Sequence, residues 1–106
     1  HIGHNVDLGE NSMLCGQVGL AGSSKIGKRF IAAGQVGIGP GLKIADHVTI
    51  GPKSGVTKSI GEKGDYIGMP AIQASAWRRQ VLLLKKLPDI FKNIKLIQKL
   101  ILKKES

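Results

Sequence analysis

An aliphatic or small residue recurs at every sixth position through the first half of this 106-residue chain, and no insertion breaks the spacing. The ten positions are Ile2, Leu8, Leu14, Leu20, Ile26, Ala32, Ile38, Ile44, Ile50 and Val56. An α-helix turns about 100° per residue, so six steps leave a side chain about 120° from where it began. The ten residues therefore cannot share one helix face, and this half of the chain is not a helical bundle.

Short strands joined by tight corners explain the repeat. The aliphatic residue, first in each hexad, points inward, and the Gly or Ala that usually follows it fits a corner where a Cβ atom would crowd. The fifth residue of each hexad is also small or apolar, from Val6 to Ile60. Residues 15–31 and 33–49 share identities at an offset of 18, which indicates that three hexads close one triangular coil. We predict a parallel β-helix of about three coils over residues 1–60, with coils about 4.8 Å apart.

The chain changes character after residue 60. Glycines and Pro70 indicate that residues 61–73 form an exit loop that leaves the β-helix. Residues 74–106 carry helix signals, and Pro88 divides them into two predicted C-terminal helices. The second helix has an apolar seam with the alternating spacing of three and four residues typical of a coiled coil: Leu87, Ile90, Ile94, Ile97 and Ile101.

Three interpretations of this seam stay open. It packs against the first helix or against symmetry mates, with the neighbouring lysines solvated, or the lysines additionally receive an acidic partner. A membrane-surface helix is a weaker interpretation, because aromatic residues are few and Pro88 interrupts the run. The open ends and small interior of a three-coil β-helix also favour association with other subunits.

Charge and cysteine content narrow the function classes. The net charge is +9, and most of the excess lies after residue 70, which raises nucleic acid, anionic membrane or an acidic protein as partners. We expect no nucleic-acid partner, and no membrane span because no apolar stretch approaches roughly 18 residues. Cys15 is the only cysteine, so no intrachain disulfide can form and nothing indicates an oxidising compartment. It stands at a Gly or Ala position, where we expect a small buried side chain.

The three histidines occupy different places in the hexad. His1 is sixth, His4 third and His47 fourth, so they point from different places on the triangular section. A metal site would need residues from two subunits, and we expect none within the chain. His4 should project outward, in Gly3-His4-Asn5-Val6, which makes it the leading candidate for chemistry.

Several motifs together resemble one family. They are Ile2-Gly3-His4-Asn5-Val6, Gly16-Gln17-Val18-Gly19-Leu20-Ala21-Gly22-Ser23, Gly34-Gln35-Val36-Gly37-Ile38, Lys53-Ser54-Gly55-Val56-Thr57-Lys58 and Gly68-Met69-Pro70-Ala71. This set, over residues 1 to about 80, is similar to the C-terminal third of UDP-3-O-(3-hydroxyacyl)glucosamine N-acyltransferases, so we expect the chain to be a fragment. The resemblance implies an all-β left-handed parallel β-helix of hexapeptide repeats followed by a C-terminal α-helical extension.

The resemblance also implies a function. Members of this family move a 3-hydroxyacyl chain from acyl carrier protein to the 2-amine of a UDP-3-O-acyl-glucosamine in lipid A synthesis. They are cytoplasmic homotrimers with active sites between subunits. We accordingly expect no cofactor of the protein's own, because the donor carries its phosphopantetheine on acyl carrier protein.

Individual residues match the family's functional positions. His4 matches the catalytic histidine, a general base, and Gly22 matches a backbone oxyanion donor. Gly41 replaces the family's second histidine, and His47 cannot stand in for it within one subunit, since it falls on the next face of the triangle. Lys58 matches a basic position, and it heads the residues expected to bind the carrier protein: Lys58, Arg78, Arg79, Lys85 and Lys86.

Other functions compete with this interpretation. The nearest are the related O-acyltransferase that also uses acyl carrier protein and an acetyltransferase that uses coenzyme A. From another class, the chain would be a non-catalytic trimerisation scaffold, in which His4 is dispensable. Donor competition separates the first two, and replacement of His4 separates the third.

Overall fold

A computed structural model describes residues 1–105, and it shows a left-handed parallel β-helix followed by a C-terminal helix. Nine short strands form the β-helix: β1 (Asp7–Leu8), β2 (Met13–Leu14), β3 (Gly19–Leu20), β4 (Lys25–Ile26), β5 (Ile31–Ala32), β6 (Gly37–Ile38), β7 (Lys43–Ile44), β8 (Val48–Ile50) and β9 (Gly55–Val56). They stack in three parallel sheets, β1-β4-β7, β2-β5-β8 and β3-β6-β9. The predicted fold class is confirmed.

The strands pair at the predicted offset of 18. Lys25 lies between Asp7 and Lys43 in one sheet, and Gly37 lies between Gly19 and Gly55 in another. Backbone hydrogen bonds of ordinary length join successive coils; the Lys25 amide, for example, donates to the Leu42 carbonyl at 2.8 Å. Each coil therefore supplies the hydrogen-bond partners of the next.

Both inward positions of the hexad form the core. The first and fifth residues supply every buried apolar side chain among the described residues: Val18, Leu20, Ile26, Phe30, Ala32, Val36, Ile38, Ile44, Val48, Ile50, Val56 and Ile60. Ser24 and Ser54 also occupy the fifth position and are buried with their hydroxyls paired, Ser24 Oγ donating to the Ala21 carbonyl at 2.8 Å. Ile2, in the first coil, is 53% exposed.

The corners lie one or two residues later than the sequence predicted. The third and fourth residues of each hexad form the turn, and the fourth has a positive φ, as at Asn5 (56°) and Gly41 (67°). The second residue instead lies against the neighbouring coil, where a Cβ on Gly27 would be 2.7 Å from the Asp46 nitrogen. The small residue is thus required by coil stacking. Cys15, at this position in the first coil, is exposed, so its predicted burial is wrong.

Residues 61–73 are not the predicted exit loop. They contain β10 (Gly64–Gly68) and β11 (Ala71–Gln73), an antiparallel hairpin that joins the β2-β5-β8 sheet through parallel pairing of β10 with β8. Gly64 and Gly68, which suggested a loop, adopt φ values of 142° and 108° at the ends of β10. The glycines permit the bends at both ends of a strand, and the hairpin closes the end of the β-helix.

The C-terminal segment forms one helix instead of two. Helix α1 (Ala74–Glu105) passes through Pro88 without interruption. A proline inside a helix costs about 3 kcal/mol, but the flanking Leu, Lys and Ile residues favour helix, and the chain continues. Ser106, the last residue of the predicted helical segment, lies outside the described residues.

Helix α1 projects from the β-helix. Its 32 residues span about 48 Å at 1.5 Å per residue, in a molecule 67 Å long and about 20 Å thick. Near its start, Trp77 packs on the hairpin, with its Cδ1 3.2 Å from the place of a Cβ on Gly68. None of the described residues of α1 is buried. In residues 1–105, no helix has the length and hydropathy to cross a membrane.

Candidate functional site

His4 lies on an exposed corner of the first coil, as predicted from its place in the hexad. Its backbone carbonyl accepts a hydrogen bond from the Ser23 amide of the next coil at 2.7 Å. Its imidazole makes no hydrogen bond within residues 1–105. His4 is therefore held through its backbone, and its side chain has no hydrogen-bond partner among the described residues.

Gly22 stacks directly above His4, as the offset of 18 predicts. The position of a Cβ on Gly22 lies 3.4 Å from the His4 carbonyl oxygen and 3.8 Å from the His4 nitrogen. Along this edge, the backbone amide of the fourth residue of a hexad donates to the carbonyl of the third residue one coil below. The Gly41 amide, for example, donates to the Gly22 carbonyl at 3.0 Å. The amide of the third residue takes no part in these hydrogen bonds. The Gly22 amide therefore has no partner among the described residues.

A second corner shows which kind of group accepts a hydrogen bond from an amide at this position. Lys28 holds the same corner position as Gly22, and its amide donates to Asp46 Oδ1 at 2.7 Å. Asp46 is the third residue of the hexad one coil above. Above Gly22 the corresponding residue is Pro40, which has no acceptor in its side chain. The Lys28 amide therefore has a side-chain acceptor one coil above, whereas the Gly22 amide has none.

The corner position of His47 separates it from His4. His47 lies on the next corner, where its amide donates to the Lys28 carbonyl at 2.8 Å. Gly41, which replaces the family's second histidine, lies beside Pro40 on the His4 corner with a positive φ of 67°. Within residues 1–105, no three His, Cys, Asp or Glu side chains converge to hold a metal ion.

Lys58 follows Val56 by two residues, as His4 follows Ile2, which places it on the His4 edge three coils higher. Three coils correspond to about 14 Å. Arg78 and Arg79 lie in the first turns of α1 and are exposed. Adjacent helical residues point about 100° apart, so Arg78 shares its face with Lys85 and Arg79 shares the next with Lys86. The five basic residues predicted to bind the carrier protein therefore lie on at least two surfaces.

The sequence did not predict one group of stacked residues. Asn11, Arg29 and His47 stack at the corner after the His4 corner and line an open recess of about 350 Å³ with Ile31 and Thr49. All three have positive φ. Their offset of 18 was available as a signal, but their residue types differ from coil to coil, so the column was not visible as a motif.

Known proteins resemble this chain in sequence, although no family model matches it. A UDP-3-O-acylglucosamine N-acyltransferase of Methylococcus capsulatus is 35% identical over 99 residues, which are 93% of this chain and 28% of that protein. A probable UDP-3-O-acylglucosamine N-acyltransferase 2, mitochondrial, of Arabidopsis thaliana is 41% identical over 81 residues, 76% of this chain and 27% of that protein.

A third relative, a UDP-3-O-acylglucosamine N-acyltransferase of Wolinella succinogenes, is 42% identical over 76 residues, 72% of this chain and 24% of that protein. The chain thus spans about a quarter of the length of the curated relatives it matches. The resemblance identified from the motifs is confirmed: this chain is homologous to a part of the UDP-3-O-acylglucosamine N-acyltransferases.

Proposed function

We propose that this chain is the part of an N-acyltransferase that carries the acyl-transfer site, with His4 and Gly22 as its reacting groups. The reaction moves a 3-hydroxyacyl chain from acyl carrier protein to the 2-amine of a UDP-3-O-acyl-glucosamine, a step of lipid A synthesis. One observation carries the proposal. The backbones of His4 and Gly22 are stacked at one corner of the β-helix, and neither the His4 imidazole nor the Gly22 amide has a hydrogen-bond partner among the described residues. The relatives of this chain are named as N-acyltransferases.

The chemistry requires a base and an oxyanion donor. The amine nitrogen attacks the thioester carbonyl, and the His4 imidazole takes the proton that the new C–N bond makes acidic. The carbonyl oxygen becomes an oxyanion, which the Gly22 amide stabilises by a hydrogen bond. When the intermediate collapses, the C–S bond breaks, and the leaving thiolate receives a proton from the His4 imidazolium. The acyl group arrives activated as a thioester, so the protein needs no cofactor of its own.

The proposed assembly is a homotrimer. Helix α1 extends the predicted seam by one residue, Leu83. Leu87, Ile94 and Ile101 then alternate with Leu83, Ile90 and Ile97. All six side chains are 39–55% exposed. Isoleucine at both core positions of a heptad favours three or four strands over two. The exposed seam and its composition therefore support association of three helices.

The proposed partner is the acidic carrier protein. Lys58 lies on the His4 edge, and basic side chains near the site would speed encounter with an acidic protein and orient its arm. With a protein carrier and a sugar nucleotide as substrates, the reaction belongs in the cytoplasm or an equivalent compartment.

Replacement of His4 tests the proposed chemistry. In the form of the protein that shows N-acyltransferase turnover, His4→Ala should lower kcat by roughly 10² to 10⁴-fold, the contribution of a positioned general base, and leave the substrate KM nearly unchanged. Asn5→Ala, on the same corner, is the matched control. A kcat for His4→Ala within threefold of the parent would refute the role of His4 and favour the scaffold interpretation.

Charge reversal tests the carrier partner. Replacing Lys58, Arg78 and Arg79 together by Glu should weaken carrier-protein binding and abolish its salt dependence, with the sugar-nucleotide affinity unchanged. Titration at two ionic strengths measures both. Unchanged carrier affinity would refute the docking role. A competition between acyl carrier protein and acyl-coenzyme A as donors separates the proposal from a coenzyme A-dependent acetyltransferase, and comparison of amine and hydroxyl acceptors separates it from the O-acyltransferase.

A further inference from the structure

Helix α1 carries a second row of exposed apolar side chains beside the seam. Leu84, Phe91 and Leu102 each follow a seam residue by one position, so each points about 100° away from that residue. They are 61%, 61% and 66% exposed. Helices that associate through the seam leave this row, here called the flank, accessible at the side of the bundle. The proposed trimer therefore does not account for the flank.

A row of lysines borders the flank on the side away from the seam. Lys95 lies about one turn after Phe91, and Lys99 lies about one turn before Leu102, each rotated about 40° to 60° further from the seam. Lys92 lies further round in the same direction, and all three lysines are exposed. In the whole of α1, nine basic residues stand against two acidic ones. The order around the helix is thus seam, flank and lysines.

The opposite side of α1 also exposes leucines, but a carboxylate interrupts them. Leu82 and Leu96 are exposed, and Asp89 lies midway between them in the same row, about two turns from each. A carboxylate is costly to move into apolar surroundings and is repelled by an anionic surface. On the flank side, no acidic residue lies between Leu84 and Leu102. The flank is therefore the side of α1 that suits an apolar surface with negative charge around it.

Two sequence features counted against a membrane-surface helix, and the structure answers both. Pro88 does not interrupt α1. Aromatic residues are few, but two of the four in the chain, Trp77 and Phe91, belong to this side of the helix. Trp77 lies about two turns before Leu84 and is 36% exposed, and aromatic rings favour the interface between membrane and water. From Trp77 to Leu102 the row is about 38 Å long.

We propose that α1 binds the surface of an anionic lipid bilayer through the flank. The helix lies parallel to the surface, with the flank side chains at the boundary between headgroups and acyl chains. The lysine stems lie along the apolar layer while their ammonium groups reach the lipid phosphates. The negative surface potential of the bilayer attracts the basic helix. The helix rests on the bilayer and does not cross it, consistent with its length and hydropathy.

The spacing of the flank favours a bilayer over an acidic protein. A helix that docks in a protein groove presents anchors three or four residues apart, which fill successive pockets. The flank residues are seven and eleven residues apart instead. A bilayer needs no complementary pockets, only apolar side chains along one line with cations beside them. The flank meets that requirement over its whole length.

Surface binding goes beyond the proposed acyl transfer and does not depend on it. It is compatible with that reaction, because the proposed acceptor carries one acyl chain and the product carries two. One acyl chain gives marginal binding to a bilayer, and two give stable binding. A transferase held at the bilayer surface therefore releases its product where that product partitions.

Vesicle co-sedimentation tests the inference. The chain is mixed with vesicles of phosphatidylglycerol and phosphatidylcholine in equal parts, and with vesicles of phosphatidylcholine alone. We expect binding to the anionic vesicles to be tighter by about tenfold or more, and to weaken as the salt concentration rises from about 0.1 M to about 0.5 M. A chain that binds neither kind of vesicle, or binds both equally, overturns the inference.

Two matched variants separate the flank from general hydrophobicity. The flank variant carries Leu84→Ser, Phe91→Ser and Leu102→Ser, and the control carries Leu82→Ser, Leu96→Ser and Leu100→Ser. Each removes three exposed apolar side chains outside the seam. We expect about tenfold weaker vesicle binding or less in the flank variant, parental binding in the control, and the parental sedimentation in both. Equal losses in the two variants, or no loss in the flank variant, contradict the proposal. Phe91→Ser alone is the second variant should the triple substitution lower the helix content.

The lysines and the alternative partner have their own measurements. Lys92→Gln, Lys95→Gln and Lys99→Gln together should remove most of the salt dependence of vesicle binding. If the flank variant loses binding to acyl carrier protein but binds vesicles as the parent does, the flank is a protein-docking surface and the inference is wrong. Turnover in the absence of vesicles should be parental in the flank variant, so a failure of the proposed function, detected with His4→Ala, is distinguished from a failure of membrane binding.

Discussion

The β-helix and helix α1 are both rich in aliphatic residues but place them in opposite environments. In the β-helix, Phe30, Ala32 and Ile50 are fully buried, at 0% exposure. In α1, Ile97 is 55% and Leu100 63% exposed. Burial contributes about 25 cal/mol per Å² of apolar surface, so the first set stabilises the single chain and the second contributes only when a partner covers it. The buried residues of the β-helix stabilise the fold of the single chain, and we propose that the exposed residues of α1 stabilise its association with other copies.

The largest expected effect separates the two regions directly. Ile38 is 3% exposed in the core of the β-helix. Ile38→Asp buries an unpaired carboxylate, which costs more than about 4 kcal/mol and approaches the whole stability of a small domain. We expect no cooperative unfolding transition by circular dichroism. A folded, soluble Ile38→Asp trimer would contradict the β-helix assignment.

The matching substitution in α1 should leave the β-helix folded. Ile97→Asp introduces the same carboxylate at an exposed seam position, so the strands keep their contacts while the helices lose their association. Sedimentation should show dissociation to smaller species, with the β-sheet signal retained. Asn93→Asp, which adds the same charge outside the seam, is the control. Persistence of the parental oligomer in Ile97→Asp would show that the seam does not hold it together.

A smaller effect tests coil stacking inside the β-helix. A Cβ on Gly27 would lie 2.7 Å from the Asp46 nitrogen and 2.8 Å from the Ala45 carbonyl carbon, so Gly27→Ala must move backbone. We expect a loss of about 1–3 kcal/mol in the free energy of unfolding, measured with denaturant. Gly16→Ala meets open space and should be neutral or stabilising by up to about 1 kcal/mol. Equal effects at the two glycines would argue against the stacking geometry.

The β-helix was predictable because the same two positions of each hexad point into the core. The first and fifth positions fixed the core, and the offset of 18 fixed both the pairing register and the stacking of Gly22 on His4. Corner geometry was harder to predict, because eight of the described residues other than glycine adopt positive φ. Among these eight, only Asn5 and Asn11 are asparagines, which tolerate that conformation. Neighbouring coils impose the conformation on the rest.

Predictions failed where structure depends on contacts that periodicity does not encode. The hairpin of β10 and β11 forms because β8 offers an unpaired strand edge. The glycines in residues 61–73 that suggested a loop therefore lie at the ends of a strand. Helix α1 continues through Pro88 because helix-favouring residues on both sides outweigh one lost hydrogen bond. Periodicity also did not show that the Gly22 amide lacks a partner, or that the Asp46 carboxylate accepts a hydrogen bond from the Lys28 amide. Both features depend on the side chain that lies one coil above the amide.

The central claim is that the His4 corner performs acyl transfer with a backbone amide, and Gly22→Pro tests it most directly. Proline already occupies the same corner position one coil above, at Pro40, so the substitution removes the Gly22 N–H and little else. Gly34→Pro, at the corresponding position of another corner, controls for the effect of proline on stability. We predict that Gly22→Pro lowers kcat by roughly 10² to 10³-fold. Its thermal unfolding midpoint should equal that of the Gly34→Pro control. A Gly22→Pro protein that folds and keeps kcat within threefold of the parent would contradict the account.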